Sequence, residues 1–235
     1  MLLGYELLEF NDACAWRTGK ISRMKFFAVL VTIVVVSVSL VVVVFSGAFR
    51  GEMIRVACIG DSITELSTYP TDLQELLGCN YYVREFGATG STVVANSFIP
   101  YLYEPRFSAA KLFLPDVVVI LLGTNDARTD NFQSIDDFVA DYKQLVGEVQ
   151  ALESNPKIYL VKPPPLFENK LDLSSANLVD GVIPRVEQVA DDLGLTLIDA
   201  YTPLEGHPEY FVDGVHPNFE GASVIANQVY KALTN

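Results

Sequence analysis

Three short polar segments contain the side chains that could perform covalent chemistry. They are residues 60–64 (GDSIT), 123–126 (GTND) and 213–216 (DGVH). A serine hydroxyl is a weak nucleophile until a neighbouring base removes its proton, and histidine is the side chain suited to that task near neutral pH. The sequence therefore contains the residue types needed for acyl transfer through a serine.

The choice of base is small because the chain has two histidines. His216 has Asp213 three residues before it, where a carboxylate can hold one ring nitrogen and orient the other. His207 has Leu204 at the same offset, so we expect a surface or loop histidine there. The predicted catalytic residues are Ser62 as nucleophile, His216 as base and Asp213 as the acid that orients it.

A tetrahedral intermediate also needs hydrogen-bond donors for its oxyanion. Backbone amides in glycine loops and the side chain of an asparagine can supply them. Residues 87–92 (GATGST) form such a loop, and Asn125 lies in the GTND segment. Gly90 and Asn125 are therefore the candidates for the oxyanion hole.

The surrounding sequence must position these segments, and residues 51–235 alternate between strand and helix patterns. Helices that follow strands in this way indicate an α/β fold with an open parallel sheet. In such sheets the ligand lies at the carboxyl ends of the strands, where the polar segments occur. The patterns predict strands over 53–59, 81–86, 116–122, 158–161 and 196–198, and helices over 70–77, 134–152, 176–193 and 221–233.

Together these segments resemble the blocks of the SGNH/GDSL hydrolase superfamily, of the bacterial esterase type of GDSL-like lipase/acylhydrolase. GDSIT is similar to the first block, Gly90 falls at the second-block glycine, GTND matches the third block, and DGVH matches the final DxxH. The similarity covers roughly residues 53–233. It departs from the family pattern at Ile63, where the name-giving motif has leucine, and at Phe86, where many members have asparagine.

The resemblance implies a flavodoxin-like three-layer α/β/α sandwich with a central parallel sheet of about five strands. It also implies a serine esterase mechanism with an oxyanion hole formed by the Ser62 and Gly90 amides and the Asn125 side chain, with Gly87 as an alternative to Gly90. No metal or organic cofactor is required. The residues expected to support the catalytic loops are Gly60, Asp61, Gly123 and Asp126.

The N-terminal region carries a different signal. Residues 26–49 form an uncharged apolar run of 24 residues, about 36 Å long as a helix and enough to span a hydrocarbon core of about 30 Å. We interpret it as an uncleaved transmembrane signal-anchor helix between a cytoplasmic tail, 1–25, and a hydrolase domain, 51–235. Cleavage near Ala48 and secretion is the alternative. Four Lys/Arg precede the run and two follow it, which places the N-terminus in the cytoplasm and the catalytic domain outside.

The composition and net charge limit the kinds of ligand that we expect. The net charge is −13, and residues 51–235 alone, with 11 basic and 26 acidic residues, carry −15. This charge argues against nucleic acid and anionic lipid as ligands. We expect short-chain or O-acetyl esters of carbohydrates or small molecules, with lysophospholipase or thioesterase activity and O-acetyl transfer as alternatives. Three cysteines cannot form a disulfide framework, although a Cys58–Cys79 pair stays open.

Overall fold

The computed structural model describes residues 53–235 and, before them, Val31 alone. The chain divides into two units, Met1–Gly51 and Glu52–Asn235. Among the described residues, no helix combines the length and apolar character needed to cross a membrane. The predicted tail, 1–25, and the predicted span, 26–49, lie outside the described residues except for Val31.

Five parallel strands form the central sheet, in the order β2-β1-β3-β4-β5. This is the flavodoxin-like strand order, in which the chain reverses direction across the sheet between β1 and β3. The predicted parallel five-stranded sheet is therefore confirmed. The strands are β1 (Ile54–Gly60), β2 (Tyr81–Gly87), β3 (Val117–Leu121), β4 (Lys157–Lys162) and β5 (Thr196–Asp199).

Helices cover both faces of the sheet and complete three layers. Buried residues of α3, α4 and α6 pack on one face, whereas those of α2 and α7 pack on the other. The α-helices are α1 (Ser62–Leu66), α2 (Tyr69–Leu77), α3 (Pro105–Leu112), α4 (Phe138–Gln150), α5 (Ser175–Asn177), α6 (Ile183–Leu193) and α7 (Phe219–Thr234).

Strand β3 illustrates why the sheet lies in the middle. Val118 and Ile120 are buried in the core on one face, and Val119 and Leu121 in the core on the other. Successive side chains of a strand point to opposite faces, so a strand covered on both sides is apolar throughout. The run DVVVILL therefore predicted a central strand correctly.

The helices differ from the sequence prediction in four places. Helices α1 and α3 were not predicted. The helix predicted over 134–152 begins at Phe138 after a 3₁₀ segment, because Ser134 has non-helical dihedral angles. The helix predicted over 176–193 contains a π-turn at Leu178–Val182. Pro184 therefore lies at the start of α6, where a missing N–H is tolerated, instead of kinking a continuous helix.

The two described cysteines are both free thiols. Cys58 is buried within β1, where burial raises the pKa of its thiol to about 12, and Cys79 is exposed. Cys58 is thus a protonated, apolar member of the core in this structure.

Candidate active site

Ser62 is the first residue of α1, at the point where β1 leaves the sheet. Asp61 caps this short helix, accepting a hydrogen bond from the Ile63 backbone N–H at 2.9 Å. The turn requires glycine at position 60, because a Cβ atom there would lie 2.5 Å from the Leu121 carbonyl oxygen. This backbone places the Ser62 hydroxyl at the carboxyl edge of the sheet.

The three predicted catalytic side chains are in hydrogen-bond contact. His216 Nε2 lies 3.0 Å from Ser62 Oγ, and His216 Nδ1 lies 2.7 Å from Asp213 Oδ2. The other Asp213 oxygen accepts hydrogen bonds from the backbone N–H groups of His216 and Val215, at 2.8 and 3.1 Å. One carboxylate therefore fixes both the imidazole ring and the loop that carries it.

These hydrogen bonds also keep Asp213 ionised. Burial by itself would raise the pKa of this carboxyl. The hydrogen bonds from the backbone and ring of His216 and from the backbone of Val215 outweigh that effect, so the pKa is lowered. An ionised Asp213 can stabilise positive charge on His216.

The loop after β2 presents the candidate backbone donor. Gly90 has φ +80°, and its N–H donates no hydrogen bond to any residue that the structure describes; the same holds for the Ser62 N–H. Gly87, the alternative considered from the sequence, has its N–H bound to Glu85 Oε2 at 3.0 Å. Of the two glycines, Gly90 is the one with a donor free for a substrate.

Asn125 supplies the side-chain donor. Its Nδ2 donates one hydrogen bond to the Ser91 carbonyl at 3.0 Å, which leaves the second proton of the amide free. Asn131 Nδ2 donates to the Asn125 carbonyl at 2.8 Å and holds the turn from below. Asn131 was not predicted from the sequence, because the spacing between Asn125 and Asn131 carries no signal of this contact.

Two buried carboxyl groups lie beneath these loops. Asp126 accepts hydrogen bonds from the Val93 and Val94 backbone amides, which ties the loop after β3 to the loop after β2. Burial raises the pKa of Asp126 to about 6, although these amides act in the opposite direction. Burial likewise raises the pKa of Asp61 to about 7; the Ile63 amide lowers it, and the nearby charge of Asp126 raises it further.

The remaining residue predicted to support the loops is Gly123. Its φ of +117° is a backbone conformation that residues other than glycine rarely adopt. A Cβ atom there would also lie 2.9 Å from Val182 Cγ1. The GTND turn thus depends on glycine at its first position.

Several other residues lie outside this arrangement. His207 is an exposed histidine that contacts Glu209 at 2.8 Å and stacks on Tyr210 with ring centroids 4.9 Å apart. Lys162 is bound in ion pairs with Glu187 and Asp199. The aromatic segment 98–107 is divided: Tyr101 and Phe107 are core residues, whereas Phe98 is 92% exposed. Within the part of the chain that the structure describes, no cluster of three or more His, Cys, Asp and Glu could hold a metal ion.

The fold is shared by solved structures of related esterases. A carbohydrate acetylesterase family member from Sinorhizobium meliloti is 23% identical, with a TM-score of 0.58, covering 77% of this chain and 97% of its own. A GDSL-like lipase from Bacteroides thetaiotaomicron is 23% identical, with a TM-score of 0.61, covering 78% of this chain and 89% of its own. At this level of identity the likeness establishes the three-layer fold.

Sequence similarity is stronger to an acetylxylan esterase from Xylanibacter ruminicola. The two are 33% identical over 210 residues, which is 78% of this chain and 44% of the relative. The chain therefore spans less than half the length of that protein. Residues 58–224, which contain the loops that carry Ser62, Gly90, Asn125 and His216, match the family model of the GDSL-like lipases and acylhydrolases. This chain belongs to the GDSL-like lipase/acylhydrolase family.

Proposed function

We propose that residues 51–235 form a serine esterase that hydrolyses short-chain esters, most specifically O-acetyl esters of carbohydrates, through an acyl-enzyme. The observation that carries the proposal is the continuous contact from Ser62 Oγ through the His216 ring to the Asp213 carboxylate. A hydroxyl whose proton can pass to an oriented imidazole is the feature that distinguishes a nucleophilic serine from a structural one.

The reaction follows from these contacts. Ser62 Oγ attacks the ester carbonyl carbon while its proton passes to His216 Nε2, and Asp213 stabilises the resulting imidazolium. The oxyanion accepts hydrogen bonds from the Ser62 and Gly90 amides and from Asn125 Nδ2. His216 then protonates the departing alcohol oxygen, which leaves an acyl group on Ser62. Water, deprotonated by His216, attacks the acyl-enzyme and releases the acid.

Three features favour a short acyl group and a neutral alcohol. Apart from the helices that pack on the sheet, the described fold adds only short elements: α1, α5, one π-turn and several 3₁₀ turns. It contains no long helical lid of the kind that shelters a long acyl chain. The charge of −15 over residues 51–235 is unfavourable for anionic lipid substrates. The relative with 33% identity is an acetylxylan esterase.

Hydrolysis of p-nitrophenyl esters by the full-length protein, from acetate to laurate, tests the proposal. We expect the largest kcat/KM for acetate, no hydrolysis by Ser62→Ala, and wild-type hydrolysis by Ser108→Ala, which removes an exposed hydroxyl on α3. A fluorophosphonate probe should label the wild type and Ser108→Ala but not Ser62→Ala. A rate maximum at octanoate or beyond would favour a lipid acylhydrolase. If an oligosaccharide is added as acceptor to the acetate reaction, acetylated sugar instead of free acetate as the main product would favour acetyl transfer.

For the N-terminal region we propose a single-pass anchor formed by residues 26–49, with the tail 1–25 in the cytoplasm and the catalytic domain outside. The uncharged length of the segment and the Lys/Arg bias of its flanks support this arrangement. External protease should digest the catalytic domain on intact cells, and protection of the domain would overturn the orientation. N-terminal sequencing that finds a mature end near Ala48 would replace the anchor by a cleaved signal peptide.

A further inference from the structure

An open cavity of about 710 Å³ lies beside the acid of the proposed catalytic group. Its walls come from the loop between β4 and α5 and from the loop that carries Asp213. The lining residues are Phe167, Glu168, Asn169, Lys170, Leu171, Pro208, Val212, Asp213 and Gly214. Its volume is in the range of small-molecule sites, roughly 300–1,000 Å³.

Specific backbone contacts join the two walls. The Phe167 N–H donates to the Gly214 carbonyl at 2.9 Å, and a Cβ atom at Gly214 would lie 2.2 Å from the Glu168 carbonyl oxygen. Asn169 holds the first wall together, since its side chain bonds to the backbone of Phe167, Leu171 and Leu173. The cavity is thus formed by ordered loops that are attached to the Asp213 turn.

The chemistry of the walls is mixed. Val212 and Leu171 expose 77% and 45% of their surface, so the cavity offers apolar area that a ligand can cover. Three charged groups surround them: Glu168, Lys170 and Asp213. Lys170 forms no ion pair with any described residue. A pyranose ring suits such walls because it has an apolar C–H face and a rim of hydroxyl groups. The methylenes of an acyl chain would meet three charges.

The direction of the reaction places the alcohol part of the substrate on this side. His216 must protonate the departing oxygen atom. This oxygen therefore lies next to His216 Nε2, and the rest of the alcohol extends over or past the imidazole ring. Asp213 contacts the opposite ring nitrogen at 2.7 Å, and the cavity begins at Asp213. An alcohol that extends past the His216 ring toward Asp213 would enter the cavity there.

We infer that the cavity is the subsite for the saccharide alcohol of an acetylated oligosaccharide. The inference rests on the proposed esterase function and extends it to the leaving group. It also accounts for an unusual feature of the site, the 43% exposure of the Asp213 side chain. A saccharide in the cavity would cover this carboxylate and exclude water from it, which would strengthen its interaction with His216 during the reaction.

The test compares two acetyl substrates of the full-length protein, p-nitrophenyl acetate and O-acetylated xylo-oligosaccharides. It also uses p-nitrophenyl laurate to measure the acyl-chain preference. Val212→Trp and, independently, Leu171→Trp fill the cavity from exposed positions. Leu112→Trp is the matched control. Leu112 is 83% exposed at the end of α3, which leads into the amino end of β3 and so lies away from the carboxyl ends of the strands. Thermal unfolding verifies that each variant is folded.

We expect the ratio of kcat/KM for the oligosaccharide ester to that for p-nitrophenyl acetate to fall about 10-fold or more in both cavity variants, mainly through KM. The ratio should stay at the wild-type value in Leu112→Trp. Unchanged ratios in folded cavity variants, with a wild type active on both substrates, would overturn the subsite and leave the esterase function intact. Altered preference for laurate over acetate, without a change for the oligosaccharide, would make the cavity an acyl pocket and also overturn it. A wild type inactive on both substrates would refute the esterase itself.

Discussion

The Asp126 carboxylate accepts hydrogen bonds from the Val93 backbone N–H at 2.9 and 3.1 Å, and thereby joins the loop after β3 to the loop after β2. The first of these loops carries Asn125 and the second carries Gly90. Two donors that come from different parts of the chain are therefore held in one arrangement by a single buried side chain. We regard Asp126 as a positioning residue for the proposed oxyanion hole.

Replacing Asp126 by alanine should lower kcat more than it changes KM. The Val93 and Val94 amides would lose their acceptor, at a cost of about 1–3 kcal/mol for each buried group left unpaired. A purely structural role would reduce stability and leave the kcat of the folded fraction unchanged. Steady-state kinetics, normalised to the active fraction by fluorophosphonate titration, separates the two effects.

Gly90→Ala and Gly78→Ala form a matched pair. Both glycines have positive φ, +80° and +72°, so each alanine should destabilise the fold by about 1–2 kcal/mol. Gly78 ends α2, away from the catalytic loops, and has open space around it, whereas a Cβ atom at Gly90 would lie 3.3 Å from Ile99 Cδ1. We expect a loss of kcat in Gly90→Ala alone. Equal kcat values in the two variants would show that the loop does not need glycine at position 90 to present its N–H, which would contradict this prediction.

Asn125→Ala should reduce kcat by about 10²–10³ if the side chain donates to the oxyanion. The change also removes the hydrogen bond to the Ser91 carbonyl, so stability must be measured in parallel. Asn227→Ala is a suitable control, because that asparagine bonds only to Ser223 on the exposed face of α7. A near-wild-type kcat for Asn125→Ala would exclude this side chain from the oxyanion hole.

Asp213→Asn should lower kcat by about 10³–10⁴, because a neutral amide cannot stabilise the His216 imidazolium and favours the wrong tautomer. The protein contains its own control in the exposed pair His207–Glu209, whose N–O distance of 2.8 Å is close to that of the His216–Asp213 pair. Glu209→Gln removes the charge from that pair and should leave kcat unchanged. Similar losses of kcat in both variants would mean that the overall negative charge of the protein, and not the contact between Asp213 and His216, determines the rate.

The raised pKa of Asp61 predicts how stability depends on pH. Because the pKa rises from 3.8 to about 7, the folded domain holds a proton that the unfolded chain loses between about pH 4 and pH 7. The free energy of unfolding should therefore fall as the pH rises through this window. The upper limit of the change is on the order of 4 kcal/mol.

Asp61→Asn keeps an oxygen that can accept the Ile63 N–H but cannot titrate, so its stability should depend less on pH. Urea unfolding at about pH 5 and about pH 8 measures the difference. A residual slope of the same sign should persist, because the pKa of Asp126 is raised as well. Asp180→Asn, at an exposed position, should show the wild-type slope. If Asp61→Asn shows it too, Asp61 is not the titrating group.

The sequence was sufficient for the sheet because β1, β3 and β4 are mostly apolar, and because β2, although it contains Arg84 and Glu85, ends at a glycine. It was not sufficient for α3, in which only Phe107 and Ala110 are buried. Two buried positions in eight residues give no clear helical periodicity. The short helix α1 was hidden for another reason: its start is a turn motif, and five residues are too few to show a period.

The members of the proposed site could be predicted from residue type and order along the chain. The residues that hold them in position could not be predicted in this way. Asn131 acts on Asn125 through a backbone carbonyl, and Gly87 is excluded as a donor by the Glu85 carboxylate. Both relations depend on loop conformations that are determined by long-range packing, and local sequence does not specify them.

Ser62 and His216 are 154 residues apart in the sequence, yet their side chains are in contact at 3.0 Å. Most of the domain's sequence therefore lies between the two contacting residues. If these two residues act as proposed, a nascent chain must extend beyond His216 before it can cleave any ester. A fragment that ends before His216 would contain the proposed nucleophile without its base. Such fragments should therefore not hydrolyse esters by the proposed mechanism.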